Sequence, residues 1–94
     1  MSYSLAFLPS AQKEWRKLGD TVRVQFKKKL AERLLRPRVA SDALHGMPHH
    51  YKIKLRQVGY RLVYRVDDNV LTVLVVALGR RDHSDVYEAA KRRR

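Results

Sequence analysis

Residues 51–78 read YKIKLRQVGYRLVYRVDDNVLTVLVVAL, and this stretch decides the fold. Tyr51–Leu55 alternates apolar and charged residues, which is typical of a strand with one buried face. Tyr60–Val66 alternates in the same way after a glycine-containing turn. Val70–Leu78 is apolar at nearly every position, which predicts a central strand buried on both faces. Since Asp67–Asn69 suits a tight turn, we expect three consecutive antiparallel strands.

Upstream of this stretch the spacing predicts one strand and two helices. Ser4–Leu8 forms a short strand that Pro9 closes, and Ser10 caps a helix that begins at Ala11. Asp20 caps the second helix, which Pro37 ends. Apolar residues recur at helical spacing in both helices and predict one buried stripe on each, namely Ala11, Trp15 and Leu18, then Val22, Phe26, Leu30 and Leu34.

Downstream, Gly79 releases the chain from the central strand. Ser84 or Asp85 then caps a last helix that runs through about Lys91. The element order is βααβββα, within a single domain over residues 1–94. We therefore expect an α+β fold whose antiparallel sheet has two helices on one face, a partly open second face and a short C-terminal helix.

The charge balance points to a polyanionic partner. The 94 residues carry 21 Lys and Arg against 9 Asp and Glu, a formal net charge of +12 with a pI near 10.6. Nucleic acid fits this charge best, and solvated basic helix faces are the alternative reading. There is no cysteine, which excludes disulfides and thiol catalysis, and no apolar run is long enough to span a bilayer. We expect a cytoplasmic protein without membrane contact.

The strand pair carries cations without acids, since residues 43–66 contain no carboxylate. Alternation places Lys52, Lys54 and Arg56 on one face of the first strand, while Arg61 and Arg65 share one face of the next. Arg80 and Arg81 leave the end of the central strand. Because antiparallel pairing brings these segments together, we expect the cations to converge on the open face. An RNA phosphate suits such a site.

Lys54 is the candidate general base. A lysine among other cations gives up its proton more easily, and Lys54 lies between Lys52 and Arg56. The alternative is that both lysines only clamp a phosphate. His45, His49, His50 and His83 have the loop setting of surface residues, and neither they nor the sparse carboxylates form a metal-ligand pattern. We expect no metal and no other cofactor.

Tyr87 is the one further candidate, in the segment SDVYEAA. Tyrosine stacks on exposed bases or hydrogen-bonds phosphates, both of which suit single-stranded RNA. The alternative is a tyrosine that packs the last helix on the sheet. Trp15 and Phe26 are expected in the core.

Three segments of the chain resemble the RelE toxins, ribosome-dependent mRNA interferases of bacterial toxin–antitoxin pairs in the RelE/ParE superfamily. They are EWRKLGDTVRVQFKKKL (14–30), LHGMPHHYKIKLRQVGYRLVYRV (44–66) and VALGRRDHSDVYEAAKR (76–92). The resemblance implies a microbial-ribonuclease-like fold and metal-independent cleavage of mRNA in the A site of the 70S ribosome. It also implies an acidic RelB-like antitoxin as partner, through which alone the toxin meets operator DNA.

The resemblance also implies a role for each matching residue. Lys54 takes the proton from the 2′-OH, which attacks the neighbouring phosphorus. Arg61 steadies the developing charge with help from Lys52, Arg81 assists the leaving 5′-oxygen as acid or electrostatic stabiliser, and Tyr87 stacks on or orients the base. The products are a 2′,3′-cyclic phosphate and a 5′-OH. Further RNA contacts are expected from His45, where relatives carry Arg or Lys, and from Arg56, Arg65 and Arg80.

Two alternatives to the nuclease stay open on the sequence. The chain can be a non-catalytic module that binds RNA or DNA with the same basic face. It can also be an inactive relative that acts with an antitoxin as a transcriptional corepressor.

Overall fold

The chain folds into a four-stranded sheet with three helices, in the order βααβββα. The structure is a computed structural model that describes residues 2–81 and 85–93, so the predicted cap at Ser84 lies outside the described residues. The strands are β1 (Ser4–Phe7), β2 (His50–Leu55), β3 (Tyr60–Asp67) and β4 (Thr72–Arg80), and the helices are α1 (Pro9–Arg16), α2 (Asp20–Leu35) and α3 (Val86–Arg93). The predicted class and element order are confirmed.

The sheet has the strand order β1-β4-β3-β2. β2 pairs with β3 and β3 with β4 in the antiparallel sense, as expected. β1, however, pairs with β4 in the parallel sense. The expectation of a wholly antiparallel sheet is therefore wrong for β1. The two helices return the chain so that β1 and β2 run in the same direction. β4 also runs in that direction, because the two antiparallel pairings from β2 to β3 and from β3 to β4 restore it.

One face of the sheet packs against α1 and α2. Phe26 and Leu30 of α2 are buried with Ile53, Leu62 and Val73 of the sheet. Trp15 of α1 contacts two other rings, with centroid distances of 5.3 Å to Phe7 and 6.3 Å to Phe26. The predicted buried stripes of both helices are thus confirmed.

The helix starts differ from the predicted caps. Leu8 is the N-cap residue of α1 and Pro9 its first residue, so Ser10 lies inside the helix. Proline suits this position because it has no backbone N–H to leave unpaired and its φ is already helical. Gly19 is the N-cap of α2, and Asp20 is the first helical residue, where its carboxylate pairs with Arg23.

Helix α3 packs against the opposite face of the sheet. Val86, Ala89 and Ala90 are buried there with Val63 and Ala77. The loop residues Leu44 and Met47 join the same cluster. This second face is therefore covered over much of its area, and the open part is the end where β2 and β3 meet their connecting turn.

A β-bulge in β4 decides which way the end of this strand faces. Val63 lies opposite Ala77 and Tyr64 opposite Val75, so Val76 has no residue opposite it. The extra residue shifts the alternation that follows. Gly79 consequently lies opposite Arg61 on the α3 face, and Arg80 lies opposite Tyr60 on the α1–α2 face.

Two side chains close the outer edge of β4 beyond the end of β1. A carboxylate oxygen of Glu14 accepts hydrogen bonds from the backbone N–H of Leu78 at 3.2 Å and from Arg93 at 2.9 Å. Arg93 also reaches the second Glu14 oxygen at 3.1 Å and donates to the carbonyl of Val76 at 2.9 Å. We call Glu14 and Arg93 the edge clasp, because it ties α1 and α3 to the same stretch of β4.

The edge clasp is expected to stabilise the fold measurably. Glu14→Ala removes the acceptor for Leu78 N–H and leaves Arg93 without its carboxylate, so the free energy of unfolding should fall by about 1–3 kcal/mol. Urea denaturation measures the change. Glu32→Ala, at an exposed position of α2, is the control, with an expected change within about 0.5 kcal/mol.

A charge swap distinguishes the edge clasp from a simple ion pair. The double variant Glu14→Arg/Arg93→Glu restores opposite charges but offers no acceptor to Leu78 N–H and no donor to the Val76 carbonyl. We expect it to stay as unstable as Glu14→Ala. Full recovery of stability would contradict the role of the backbone bonds.

Candidate active site

A basic hollow of about 320 Å³ lies at the open end of the sheet, and we call it the catalytic hollow. Four of its six lining residues are cations: Lys54, Arg56, Arg61 and Arg81. The other two are Leu55 and Tyr60. Among the residues that the structure describes, no carboxylate lines it. This hollow can therefore stabilise a bound anion or a negative charge that develops during a reaction.

Lys54 and Arg61 are direct neighbours across the β2–β3 pair. Residues opposed in this way have Cβ atoms about 5 Å apart, so the amine and the guanidinium reach the same small volume. Lys54 is exposed and Arg61 is half-buried. Gly79 lies on the other side of Arg61, and its missing side chain leaves room for Val86 of α3, which a Cβ at this position would meet at 3.4 Å.

Arg81 is held in the catalytic hollow by the turn between β2 and β3. Its backbone N–H donates to the carbonyl of Gly59 at 2.8 Å, and the Gly59 N–H donates in turn to Leu55 at 2.8 Å. Gly59 has a φ of +71°, which favours glycine, and its missing side chain leaves room for Arg81 to pass at van der Waals distance. The turn thus places a third cation beside Lys54 and Arg61.

Tyr87 of α3 supports Arg61 rather than lining the catalytic hollow. The Arg61 guanidinium carbon lies 5.2 Å from the centre of the Tyr87 ring, in cation–π contact. The ring packs with the α3 cluster, and its hydroxyl is buried without a hydrogen-bond partner within the described residues. Burial raises the pKa of the Tyr87 hydroxyl above its ordinary value, and nearby Arg61 opposes that rise.

Lys52 lies on the same face as Lys54 but outside the catalytic hollow. It is half-buried and sits opposite Val63, roughly 7 Å from Lys54 along the strand. Its backbone carbonyl accepts a hydrogen bond from Arg33 at 3.2 Å. Lys52 therefore lies beside the catalytic hollow and not in its lining.

Three predicted RNA-contact residues lie away from the catalytic hollow. Arg65 is opposite His50, roughly 13 Å from Arg61 along β3, and lines another hollow with Arg38 and His49. His45 is exposed in the turn that the hydrogen bond from Met47 to Leu44 closes. Arg80 faces the α1 side because of the bulge at Val76.

Tyr60 is a lining residue that the sequence pattern does not reveal. Alternation places it on the face opposite Arg61, where it packs partly into the α1–α2 core. The catalytic hollow, however, reaches around the end of the sheet, so both faces contribute to its wall. The one feature of the sequence that could have indicated Tyr60 is its position directly after Gly59 of the turn. As the first residue of β3, it borders the open end of the sheet.

The described residues contain neither a group of metal ligands nor a membrane-spanning helix. Within residues 2–81 and 85–93, no three His, Asp or Glu side chains come close enough to share a metal ion. None of the helices there combines the length and apolarity needed to cross a bilayer.

Comparison with known proteins identifies close relatives over the whole chain. Residues 5–84 match the family of the ParE toxin of the type II toxin–antitoxin system parDE. The chain is 55% identical over 93 residues to the mRNA interferase toxin RelE of Escherichia coli K12, covering 99% of this chain and 98% of the relative. It is 46% identical, with the same coverage, to a putative RelE-like toxin protein of Escherichia coli.

Solved structures agree with these sequence matches. A variant of E. coli RelE in the free state superposes with a TM-score of 0.91 at 54% identity, covering 99% of this chain and 98% of that one. RelE in the intact E. coli RelBE toxin–antitoxin complex gives 0.82 at 56% identity, covering 84% and 96%. This chain therefore belongs to the RelE family of mRNA interferase toxins, within the RelE/ParE superfamily of type II toxin–antitoxin systems.

Proposed function

We propose that this toxin is an endoribonuclease that cleaves mRNA in the ribosomal A site, using the 2′-OH of the RNA as nucleophile and so inhibiting translation. Residues 1–94 act as one toxin domain. The observation that carries the proposal is the catalytic hollow, in which Lys54, Arg61 and Arg81 meet without a lining carboxylate among the described residues. Its E. coli relatives are named mRNA interferases.

Lys54 is the proposed general base. Guanidinium groups stay protonated in proteins, so the arginines of the catalytic hollow cannot accept a proton. Lys54 and Tyr60 are its remaining proton-exchanging side chains. Lys54 is the better placed, because it is the direct cross-strand neighbour of Arg61, whereas Tyr60 packs towards α1 and α2.

The proposed reaction is a transfer within one nucleotide. The Lys54 amine takes the proton from the 2′-OH, the 2′-oxygen forms a bond to the adjacent phosphorus, and the bond from phosphorus to the 5′-oxygen breaks. Arg61 stabilises the charge on the phosphoryl oxygens, and Lys52 binds an adjacent phosphate. Arg81 stabilises the leaving 5′-oxygen, which water protonates. The products are a 2′,3′-cyclic phosphate and a 5′-OH.

Tyr87 has two proposed roles that do not conflict. In the free protein its ring holds Arg61 by the cation–π contact. When Arg61 turns to a phosphate, the same ring face becomes available to a base, which is how it would stack on or orient the substrate. Both roles use the ring face and neither uses the hydroxyl.

The proposed dependence on the ribosome rests on how weakly this site alone can orient an RNA substrate. The catalytic hollow is lined mainly by cationic side chains, which attract a phosphate without fixing the rest of the nucleotide, so a free RNA samples many orientations in it. Holding the 2′-oxygen in line with the scissile bond is worth several orders of magnitude in rate. We propose that ribosomal RNA supplies this positioning, which also implies a cytoplasmic location.

An acidic RelB-like antitoxin is the proposed regulator. The toxin carries a net charge of +12, and its E. coli relative is found in a RelBE toxin–antitoxin complex. An acidic partner neutralises the surface that would otherwise attract RNA. The toxin would contact operator DNA only through this antitoxin.

Cleavage in a translating extract tests the proposal. With purified toxin, we expect mRNA cuts at the A-site codon of ribosomes and new ends that carry a 2′,3′-cyclic phosphate, detected by resistance to ligation until the end is opened and dephosphorylated. Naked RNA of the same sequence should be cut far more slowly. A plain 3′-OH end would refute the 2′-OH mechanism, and fast cutting of naked RNA would refute the requirement for the ribosome.

A further inference from the structure

A second hollow, of about 490 Å³, lies between α1, the end of β4 and α3, and we call it the α1–α3 hollow. The edge clasp of Glu14 and Arg93 lies in its wall and ties both helices to β4. The hydrogen bonds of Glu14 and Arg93 to the backbone of β4 therefore fix this wall of the hollow.

Cations outnumber carboxylates among the described residues that line the α1–α3 hollow. Glu14 and Arg93 neutralise each other at 2.9 Å. Among the described lining residues, the other charged side chains are those of Lys17, Arg80, Arg92 and Asp85. Lys17 and Arg92 are exposed, at the end of α1 and near the end of α3, so an anion can approach between the two helices.

The floor of the α1–α3 hollow is apolar. Leu78 of β4 and Val86 and Ala89 of α3 line it and are buried. Cationic side chains at the rim of such a cavity suit the phosphate group of a polyanion.

Two arginines connect this hollow to the catalytic hollow. Arg81 lines the catalytic hollow and also a small hollow at the turn of Val58 and Gly59. Arg80 lines that small hollow and also the α1–α3 hollow. Arg80, the last residue of β4, and Arg81, which follows it, thus form a basic path around the end of this strand.

We propose that the α1–α3 hollow is a second RNA-binding site, which holds the RNA strand where it leaves the catalytic hollow. This proposal rests on the proposed function for the identity of the polyanion. A strand bound at the catalytic hollow must leave on some side, and Arg81 and Arg80 offer a basic path that leads to the α1–α3 hollow. Lys17 and Arg92 bind phosphate there.

Binding of non-cleavable 2′-O-methyl RNA tests the second site without requiring cleavage. The variant is Lys17→Ala/Arg92→Ala, which leaves every group of the catalytic hollow in place. The matched control is Lys27→Ala/Lys28→Ala, which removes two exposed charges from α2. Fluorescence anisotropy with RNAs of about four and about 12 nucleotides, at several salt concentrations, gives the affinities.

We expect the Lys17→Ala/Arg92→Ala variant to lose about tenfold or more in affinity for the longer RNA and little for the shorter. Loss of two phosphate contacts should also reduce the slope of log affinity against log salt by about 1.4. The control should change both quantities much less. Lys17→Ala alone, at the exposed end of α1, gives about half of the slope change.

Three results would overturn the second site. Equal losses in the variant and the control would show a general charge effect. Equal losses for both RNA lengths would place the contacts in the catalytic hollow. Unchanged RNA affinity with weakened binding of an acidic antitoxin-derived peptide would make this a peptide site. The proposed ribonuclease function is tested by a different measurement, namely mRNA cleavage and the chemistry of the new ends, so its failure is distinguishable from failure of the second RNA-binding site.

Discussion

Lys54→Arg is expected to lower the single-turnover cleavage rate by about 10²–10⁴-fold while RNA binding stays nearly unchanged. The substitution keeps the positive charge next to Arg61. It removes the only hollow-lining amine among the described residues, and a guanidinium cannot accept the 2′-OH proton. General-base catalysis typically contributes a rate factor of that size.

The measurement uses programmed ribosomes with toxin in excess, and anisotropy with non-cleavable RNA for affinity. Lys54→Ala serves as the second variant and should lose the same rate with a modest additional loss of binding. If Lys54→Arg cleaves within about threefold of the wild type, lysine only clamps a phosphate and the base lies elsewhere. A non-catalytic module would show no cleavage to lose, which would leave the binding alternatives in place.

Arg61→Ala is expected to lower the cleavage rate by about 10²–10³-fold, the size seen when one stabiliser of transition-state charge is removed. Arg61 lies between Lys54 and Gly79 and is half-buried, so water cannot fully replace the two parallel hydrogen bonds that we propose it donates to the phosphate. Arg61→Lys should recover only part of the rate, because lysine binds phosphate as a point charge.

Tyr87 variants check how Arg61 is supported. Tyr87→Phe keeps the ring under the guanidinium and loses a hydroxyl that has no partner in the described residues. We expect its rate to stay within a few-fold of the wild type. Tyr87→Leu removes the ring face and should be much slower. A Tyr87→Phe defect as large as that of Arg61→Ala would show that the hydroxyl takes part in the reaction.

Local patterns were sufficient for most of the fold. The helical spacing of Trp15, Phe26 and Leu30 predicts which faces of α1 and α2 are buried, and the structure confirms it. Alternation in β2 and β3 predicts that Lys54 and Arg61 share a face, and the register makes them direct neighbours. Both results depend on short-range periodicity, which the backbone geometry of helices and strands dictates.

Predictions failed where long-range packing competes with local preference. The parallel pairing of β1 depends on where a two-helix crossover delivers the chain. The bulge at Val76 turns Arg80 to the α1 side, although nothing in a uniformly apolar strand marks the position of an extra residue. Tyr60 lines the catalytic hollow from the other face because the hollow wraps around the end of the sheet.

The sequence by itself determined the class of fold, the basic stretch of residues 43–66 that contains no carboxylate, and membership of the RelE family, because charge, periodicity and identity are properties of the chain. Only the tertiary structure decided which cations share a hollow. Side chains far apart in sequence meet through strand register, a bulge and the docking of α3, and each of these is set by packing that no local pattern encodes. For that reason Arg81 joins Lys54 and Arg61, whereas Arg80, the residue next to it, faces the α1–α3 hollow.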